Sequence, residues 1–113
     1  EAKVDYDEEN DILYVYSGEN VKDSLEIDRF VLDFSAENKI VGVEIFDALD
    51  ILSKLSGIKL NKDGLSNIRK AKIQFYQSKE LFYVLVFLDL EVSGKEEEIR
   101  IQVPAPSAVM VQS

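Results

Sequence analysis

The segment Val4–Val15 reads V-D-Y-D-E-E-N-D-I-L-Y-V, and Leu32–Val43 repeats much of it as L-D-F-S-A-E-N-K-I-V-G-V. The Asp, Glu, Asn, Ile and Val positions are identical, and three further positions exchange one apolar residue for a similar one. Each copy is an alternating apolar run, a polar Glu-Asn turn and a second alternating run, which is the pattern of a β-hairpin. The repeat therefore predicts two hairpins in the first half of the chain.

The first hairpin is predicted to pair Lys3–Tyr6 with Ile12–Tyr16, and Asn10 is expected to take the left-handed position of its loop. Gly42, in the second strand of the second copy, predicts a bulge or a close approach of the backbone. Further strands are predicted at Leu25–Ile27, Phe30–Phe34 and Ile40–Phe46.

After these strands the apolar residues change to helical spacing, from Ala48 to Leu55. Asp47 is placed to cap the start of this helix, and Gly57 is placed to end it. A second short helix is predicted from about Lys62 to Arg69, with Asn61 as its cap.

The last third of the chain predicts a three-stranded meander between residues 71 and 103. Its middle strand, Leu81–Val92, is apolar on both faces for most of its length, so both faces need a cover. Each large apolar side chain left in water forgoes about 1.5–3 kcal/mol, so we expect the sheet to fold onto itself or a second subunit to cover it. Val109–Val111 is predicted as a further short edge strand.

These elements predict an α+β fold, an antiparallel hairpin-built sheet with one or two short helices packed on one face. A chain of 113 residues is expected to form a single domain, 1–113. Within it, residues 4–50 hold the hairpin pair and the helix start, and residues 71–103 hold the meander.

The composition excludes several kinds of active site on this chain. It has no cysteine and no histidine, so a Ser-His-Asp triad, a thiol nucleophile and a His or Cys zinc site are ruled out. The abundance of Glu, Lys, Ile and Val, without Trp, favours a thermophile-like protein. The first residues are charged and the longest apolar run is far shorter than the ~20 residues of a membrane helix, so we expect a cytoplasmic protein with no membrane partner.

The net charge of −9 is unevenly distributed along the sequence. Between Lys54 and Lys79 there are seven basic residues and one acid, so the rest of the chain carries the negative charge. A run of this kind is either a solvated face or a surface for anions or acidic partners. If the run is a surface for anions or acidic partners, we expect its residues to be Lys59, Lys62, Arg69, Lys70 and Lys72.

Two blocks of sequence resemble a known family. The run Tyr6-Asp7, then Asp11-Ile12-Leu13-Tyr14, and later Gly42-Val43-Glu44-Ile45-Phe46-Asp47-Ala48, resembles the small prokaryotic domain-of-unknown-function family 2283 over about residues 4–50. The resemblance implies a compact α+β hairpin domain without an established activity. It also implies an antitoxin-like role, since some members look like partners of small toxin-like proteins.

The family blocks contain the residues most suited to a binding site, Asp11, Tyr14, Glu44 and Asp47. Carboxylates on a loop are ligands that hard cations prefer, but the spacing lacks the EF-hand pattern, and turns and helix caps select the same residues. We therefore predict no metal ligands, no cofactor and no catalytic residues.

The sequence leans away from an enzyme and favours a non-catalytic protein-interaction or self-associating module. We expect a homo-oligomer, with a dimer favoured, and a basic protein as a further partner. The alternative is a small-ligand or divalent-metal-binding domain, conceivably a carboxylate-based hydrolase. The negative net charge argues against nucleic acid as a partner.

Overall fold

The computed structural model describes residues 1–78 and 82–103, whose strands form two antiparallel sheets. The five-stranded sheet has the order β1-β2-β5-β4-β3, and the three-stranded sheet is the meander β6-β7-β8. Two short helices connect the sheets, which confirms the predicted α+β class. The elements are β1 (Lys3–Asp7), β2 (Ile12–Tyr16), β3 (Asp23–Ile27), β4 (Phe30–Phe34), β5 (Ile40–Phe46), α1 (Ala48–Ser56), α2 (Lys62–Ser66), β6 (Lys70–Gln77), β7 (Phe82–Val92) and β8 (Lys95–Val103).

The two copies of the repeat form hairpins that lie side by side. Val4 pairs with Val15 in the first and Leu32 with Val43 in the second, which are equivalent positions of the repeat. Val15 also pairs with Val43, so the hairpins meet through their second strands at the middle of the sheet. The repeat thus places the same apolar positions next to each other on the buried face.

The loop of the first hairpin differs from the sequence prediction. The left-handed residue is Asp11, with φ 56°, and not Asn10. The Asp7 carboxylate accepts hydrogen bonds from the backbone N–H and the side-chain amide of Asn10, at 3.1 and 2.9 Å. These bonds hold Asn10 inside the turn, so the reversal falls one residue later. In the second copy Asn38 is the left-handed residue, with φ 63°.

One hydrophobic core is shared by the inner faces of both sheets and by the buried sides of the helices. Burial of these side chains is the main favourable term in folding. The fully buried large residues of this core include Leu13, Leu32, Ile45, Leu52, Leu65, Leu88, Leu90, Ile99 and Ile101.

Helix α1 begins where the sequence predicts but is capped by a different residue. Asp47 holds the N-cap position with φ 51°, yet its side chain makes no capping hydrogen bond. The Asp11 carboxylate accepts from the Leu49 N–H instead, at 3.1 Å, and the Asp11 carbonyl accepts from the Ala48 N–H at 3.0 Å. Asp47 thus occupies the predicted N-cap position, but its side chain does not cap the helix, while Gly57 ends the helix as predicted, with φ 74°.

Helix α2 is shorter than predicted and ends at Ser66. The Asn61 side chain caps it as expected, accepting from the Gly64 N–H at 2.7 Å. By Arg69 the backbone has already joined the meander, because the Arg69 N–H donates to the Asp89 carbonyl at 2.8 Å. No helix in the residues that the structure describes is long and apolar enough to cross a membrane.

The meander is confirmed, but its middle strand is not buried equally on its two faces. On β7 the inner side chains such as Val84, Val86 and Leu88 are fully buried, whereas Tyr83, Leu85 and Phe87 on the other face stay partly exposed. The predicted strand residue Leu81 and the predicted edge strand Val109–Val111 lie outside the described residues.

Candidate functional site

The outer face of the five-stranded sheet, on the side opposite the core, is rich in carboxylates and tyrosines. We call it the acidic face. Strand alternation and register place on it Lys3, Asp5, Asp7, Ile12, Tyr14, Tyr16, Ser24, Glu26, Val31, Asp33, Gly42, Glu44 and Phe46. It carries five carboxylates and one ammonium group, so its local charge is strongly negative.

Two tyrosines form a stacked pair at the middle of the acidic face. The rings of Tyr14 and Tyr16 have centroids 4.7 Å apart and planes inclined by 13°. Each hydroxyl donates to a carboxylate, Tyr14 to Asp33 at 2.7 Å and Tyr16 to Asp5 at 3.0 Å. These hydrogen bonds fix the positions of both rings.

Gly42 makes the bond between Tyr14 and Asp33 possible. Tyr14 lies on β2 and Asp33 on β4, so the tyrosine reaches across the intervening strand β5, where Gly42 stands. A Cβ atom at Gly42 would lie 2.8 Å from both the Tyr14 hydroxyl and an Asp33 carboxylate oxygen. A side chain at this position would therefore displace Tyr14 or Asp33. The sequence predicted a close approach at Gly42, and the structure shows that the approaching groups are these two side chains.

Asp33 is a buried carboxylate, with 8% of its surface exposed. Its two oxygens accept from the hydroxyls of Tyr14 and Ser24, each at 2.7 Å, which offsets the cost of removing the charge from water. Burial, and then the neighbouring Asp33, raises the pKa of Tyr14 above its usual range. Tyr14 therefore stays a hydrogen-bond donor throughout the physiological pH range.

Glu44 has no such partner. It lies directly opposite Tyr14 on one side and Val31 on the other, and no described residue donates a hydrogen bond or an ion pair to its carboxylate. Burial, and then the charge of Asp33, raises the pKa of Glu44. Among the described residues, Glu44 is thus a partly buried carboxylate with neither a hydrogen-bond donor nor a cation beside it.

The structure separates the four predicted site residues into two pairs. Tyr14 and Glu44 face each other on the acidic face. Asp11 and Asp47 lie at the start of α1, where Asp11 also accepts from the Tyr6 hydroxyl at 2.7 Å and Asp47 pairs with Arg29.

Sequence reasoning did not identify Asp33, Tyr16, Ser24 or Gly42 as parts of the site. A signal was nevertheless present, because Asp5 and Asp33 are equivalent in the repeat and each accepts a tyrosine hydroxyl from β2. The register that brings the tyrosines to them depends on long-range strand pairing.

The five basic residues predicted as an anion or partner surface are divided by the structure. Arg69 pairs with Glu91 at 3.2 Å and with Glu96, and Lys62 donates to the Glu8 carbonyl at 3.1 Å. The other three are Lys59, which is exposed between the helices, and Lys70 and Lys72, which lie on β6.

The outer face of the meander is the second surface of interest, and we call it the meander face. Register places on it Lys70, Lys72, Gln74, Tyr76, Tyr83, Leu85, Phe87, Asp89, Glu91, Glu96, Glu98, Arg100 and Gln102. Its centre is apolar: Tyr76, 48% exposed, stacks on Tyr83 with centroids 5.6 Å apart, and Leu85 and Phe87 continue the row. An open depression of about 560 Å³ borders this row.

Charges of both signs surround the apolar centre of the meander face. Lys72 places its ammonium 4.8 Å from the centre of the Phe87 ring, a cation–π contact, and Arg100 flanks the same ring from β8. One row further along the strands, Asp89 and Glu98 lie opposite each other and line a cavity of about 310 Å³. Residues 1–78 and 82–103 contain no group of three or more carboxylates that could hold a metal ion.

Comparison with known proteins identifies a family and relatives of this chain. The family described as "Protein of unknown function (DUF2283)" matches residues 3–48. An uncharacterised protein of Methanocaldococcus jannaschii is 35% identical over 96 residues, which are 84% of this chain and 78% of that protein.

A second relative, from Methanosarcina mazei, carries the name "putative hypoxanthine phosphoribosyltransferase". It is 32% identical over 80 residues, which are 70% of this chain and 60% of that protein, so the match covers less than two thirds of the relative. No solved structure matches the chain.

Proposed function

Because the chain belongs to the family of proteins of unknown function DUF2283, we propose a function from its own surfaces: a non-catalytic protein-interaction module that self-associates as a dimer. The single observation that carries the proposal is the apolar run Tyr83, Leu85 and Phe87 on the meander face, which stays partly exposed and is covered by no element that the structure describes. Contiguous apolar surface rimmed by polar residues is typical of protein–protein interfaces.

The pattern of charges supports a second copy as the occupant. Lys72 and Arg100 flank Phe87 in one row across the strands, and the next row consists of Lys70, Asp89 and Glu98, so the face carries groups of both signs. In a two-fold interface the same patch meets itself, so it must contain both members of each complementary pair. A second copy of this face therefore offers basic groups that can pair with Asp89 and Glu98, and acidic groups that can pair with Lys72 and Arg100.

Burial of the apolar side chains is the favourable term for a dimer. Full burial of one large apolar side chain contributes about 1.5–3 kcal/mol, and each copy supplies three such side chains that are already partly covered. Part of this gain is offset by the freedom that two molecules lose when they associate. The expected dimer is therefore one that dissociates on dilution.

The proposal does not extend to catalysis. The chain lacks histidine and cysteine, and the part that the structure describes has no three-carboxylate group for a metal-dependent hydrolase. The phosphoribosyltransferase activity in the Methanosarcina mazei name stays with that protein, since none of the five glycines here lies in a phosphate-binding loop motif. An antitoxin-like role is a special case of the proposal in which a toxin-like protein is the partner.

Substitution of Leu85 tests the proposal. We expect the native chain to be a dimer at tens of micromolar in light scattering, and Leu85→Glu to weaken self-association by about a hundredfold or more, because it buries a charge at the interface centre. The matched control is Val21→Glu, which adds the same charge at a loop residue that is 47% exposed.

The control should dimerise like the native protein, with both variants folded by circular dichroism. A native protein that is monomeric at low and high salt contradicts the proposal. Equal weakening by Leu85→Glu and Val21→Glu contradicts the assignment of the interface to the meander face.

A further inference from the structure

The acidic face differs from the meander face in having charges of essentially one sign. It carries five carboxylates, of which Asp33 is buried, against the single ammonium of Lys3. A second copy would place like charges together and be repelled. The complementary occupant of this face is therefore a different, cationic surface.

The stacked tyrosines give this face the chemistry that recognises organic cations. The π-face of a tyrosine attracts an ammonium or guanidinium group, and the attraction is strengthened by nearby carboxylates. Both hydroxyls are held by Asp33 and Asp5, so the rings are fixed before any ligand arrives. Such preorganisation lowers the entropic cost of binding.

Glu44 supplies the charge that a bound cation would pair with. It lies next to Tyr14 in register and has no partner among the residues described. A cation placed over the tyrosine pair would compensate a carboxylate that the fold leaves uncompensated.

The length of the acidic row favours an extended peptide over a small cation. Asp5, Tyr14, Glu44, Val31 and Glu26 form one row across all five strands. Four strand spacings of about 4.8 Å make this row roughly 19 Å long, which about six residues of extended chain can span. In such a chain alternate side chains point to the same side, so cations at every second residue can reach the carboxylates.

We propose that the acidic face binds an arginine- or lysine-rich extended segment of a partner protein, with one cationic side chain over the Tyr14–Tyr16 pair and against Glu44. This interaction uses a different face from the proposed self-association and does not depend on it.

The test is calorimetric titration with a synthetic peptide of four Arg-Thr repeats, and with a Glu-Thr peptide of the same length as control. We expect the Arg-Thr peptide to bind and Glu44→Gln to weaken its binding by about tenfold. The matched variant Glu9→Gln removes the same charge from an exposed residue of the β1–β2 loop, and it should change binding by less than about twofold.

The aromatic contribution has its own matched pair. Tyr16→Leu removes one ring of the stack and should weaken binding by about fivefold. Tyr76→Leu removes an exposed ring of the meander face and should leave binding unchanged. All titrations are repeated in the Leu85→Glu background, so that loss of self-association and loss of peptide binding are read separately.

Three outcomes overturn the inference. The first is absence of Arg-Thr binding at millimolar concentration. The second is equal weakening by Glu44→Gln and Glu9→Gln, which means attraction to net charge alone. The third is binding of the tetra-amine spermine with the same Glu44 and Tyr16 dependence and an affinity equal to that of the peptide, which assigns the face to small polycations.

Discussion

At the scale of single residues, Gly42 lies beneath the bond that joins Tyr14 to Asp33 across three strands. A methyl group there would lie 2.8 Å from both bonded oxygen atoms, and neither can move without breaking the bond. Asp33 is buried, so it would lose one of the two hydroxyls that stabilise its charge.

Gly42→Ala should accordingly lower the free energy of unfolding by about 1–2 kcal/mol, measured by urea denaturation. In a Tyr14→Ala background the same substitution should cost much less, because the ring and the hydroxyl that it displaces are absent. An equal loss of unfolding free energy in both backgrounds would show that Gly42 is needed for its backbone conformation and not to make room for the Tyr14–Asp33 bond.

Glu44 provides a prediction that depends on pH. Burial and Asp33 raise the pKa of Glu44 in the folded state above the unfolded value near 4.5, so folding favours its protonated form. Its ionisation therefore costs stability: the cost is absent well below pH 4.5, develops between the unfolded-state and folded-state pKa values, and is complete above the folded-state pKa. Glu44→Gln should raise the unfolding free energy at pH 7 by about 0.5 kcal/mol, the scale of a partly exposed site.

The same substitution should have no effect at pH 3.5, where both states carry a protonated Glu44. Urea denaturation of the native protein and the variant at the two pH values makes the comparison. The control, Glu9→Gln, should leave the unfolding free energy unchanged at both pH values. Stabilisation by Glu44→Gln that is equal at both pH values would contradict the raised pKa of this carboxyl group.

The sequence identified part of this cluster. Tyr14 and Glu44 were accessible because they stand in family motifs. Asp33 was not, since its role depends on Tyr14 crossing β5, and that approach exists only once β2, β5 and β4 are paired. The alternation of polar residues along a strand shows which face of the sheet they lie on. It does not show which residues of the adjacent strands lie beside them, because that depends on the strand register.

At the scale of elements, the first turn of α1 is held by the loop of a hairpin far away in sequence. Asp11 accepts from the Leu49 N–H and the Tyr6 hydroxyl, whereas Asp47, at the N-cap position itself, pairs with Arg29 on the surface. Both aspartates have left-handed backbones, with φ 56° and 51°. A glycine replaces either one without backbone strain.

The pair Asp11→Gly and Asp47→Gly therefore compares the two side chains alone. Asp11→Gly should lower the unfolding free energy by about 1–2 kcal/mol more than Asp47→Gly, because it removes a helix cap, while the other removes an exposed ion pair. Thermal or urea denaturation measures the difference. A larger loss of unfolding free energy from Asp47→Gly would instead indicate that Asp47 caps the helix, as the sequence predicts.

Local sequence could not reveal this capping arrangement. It correctly placed the start of α1 and its end at Gly57, since both depend on nearby residues. The residue that satisfies the first turn comes from 38 positions earlier in the chain. The end of α2 was likewise set by the Arg69–Asp89 backbone bond, a contact between distant segments.

At the scale of the whole molecule, the repeat and the meander produce two outer faces with different charge patterns. Residues 1–50 contain fifteen acids and four bases, and the remainder contains seven acids and nine bases. The first part forms the acidic face and the second forms the mixed meander face. The strands and their alternation were predictable from apolar periodicity, and so was the need to cover both sides of β7.

The cover itself was not predictable, since it depends on how two sheets share one core. The inner faces and the helices meet around that core, which leaves the outer side of β7 without a described element over it. We propose that a second copy of the chain covers this side.

Isotope-filtered nuclear Overhauser spectroscopy on a mixture of labelled and unlabelled chains shows whether two copies meet through this side. We expect intermolecular contacts from the Leu85 methyl groups and the Phe87 and Tyr83 rings of one copy to the meander face of the other. Intermolecular contacts confined to other surfaces, or none at concentrations of hundreds of micromolar, would contradict it.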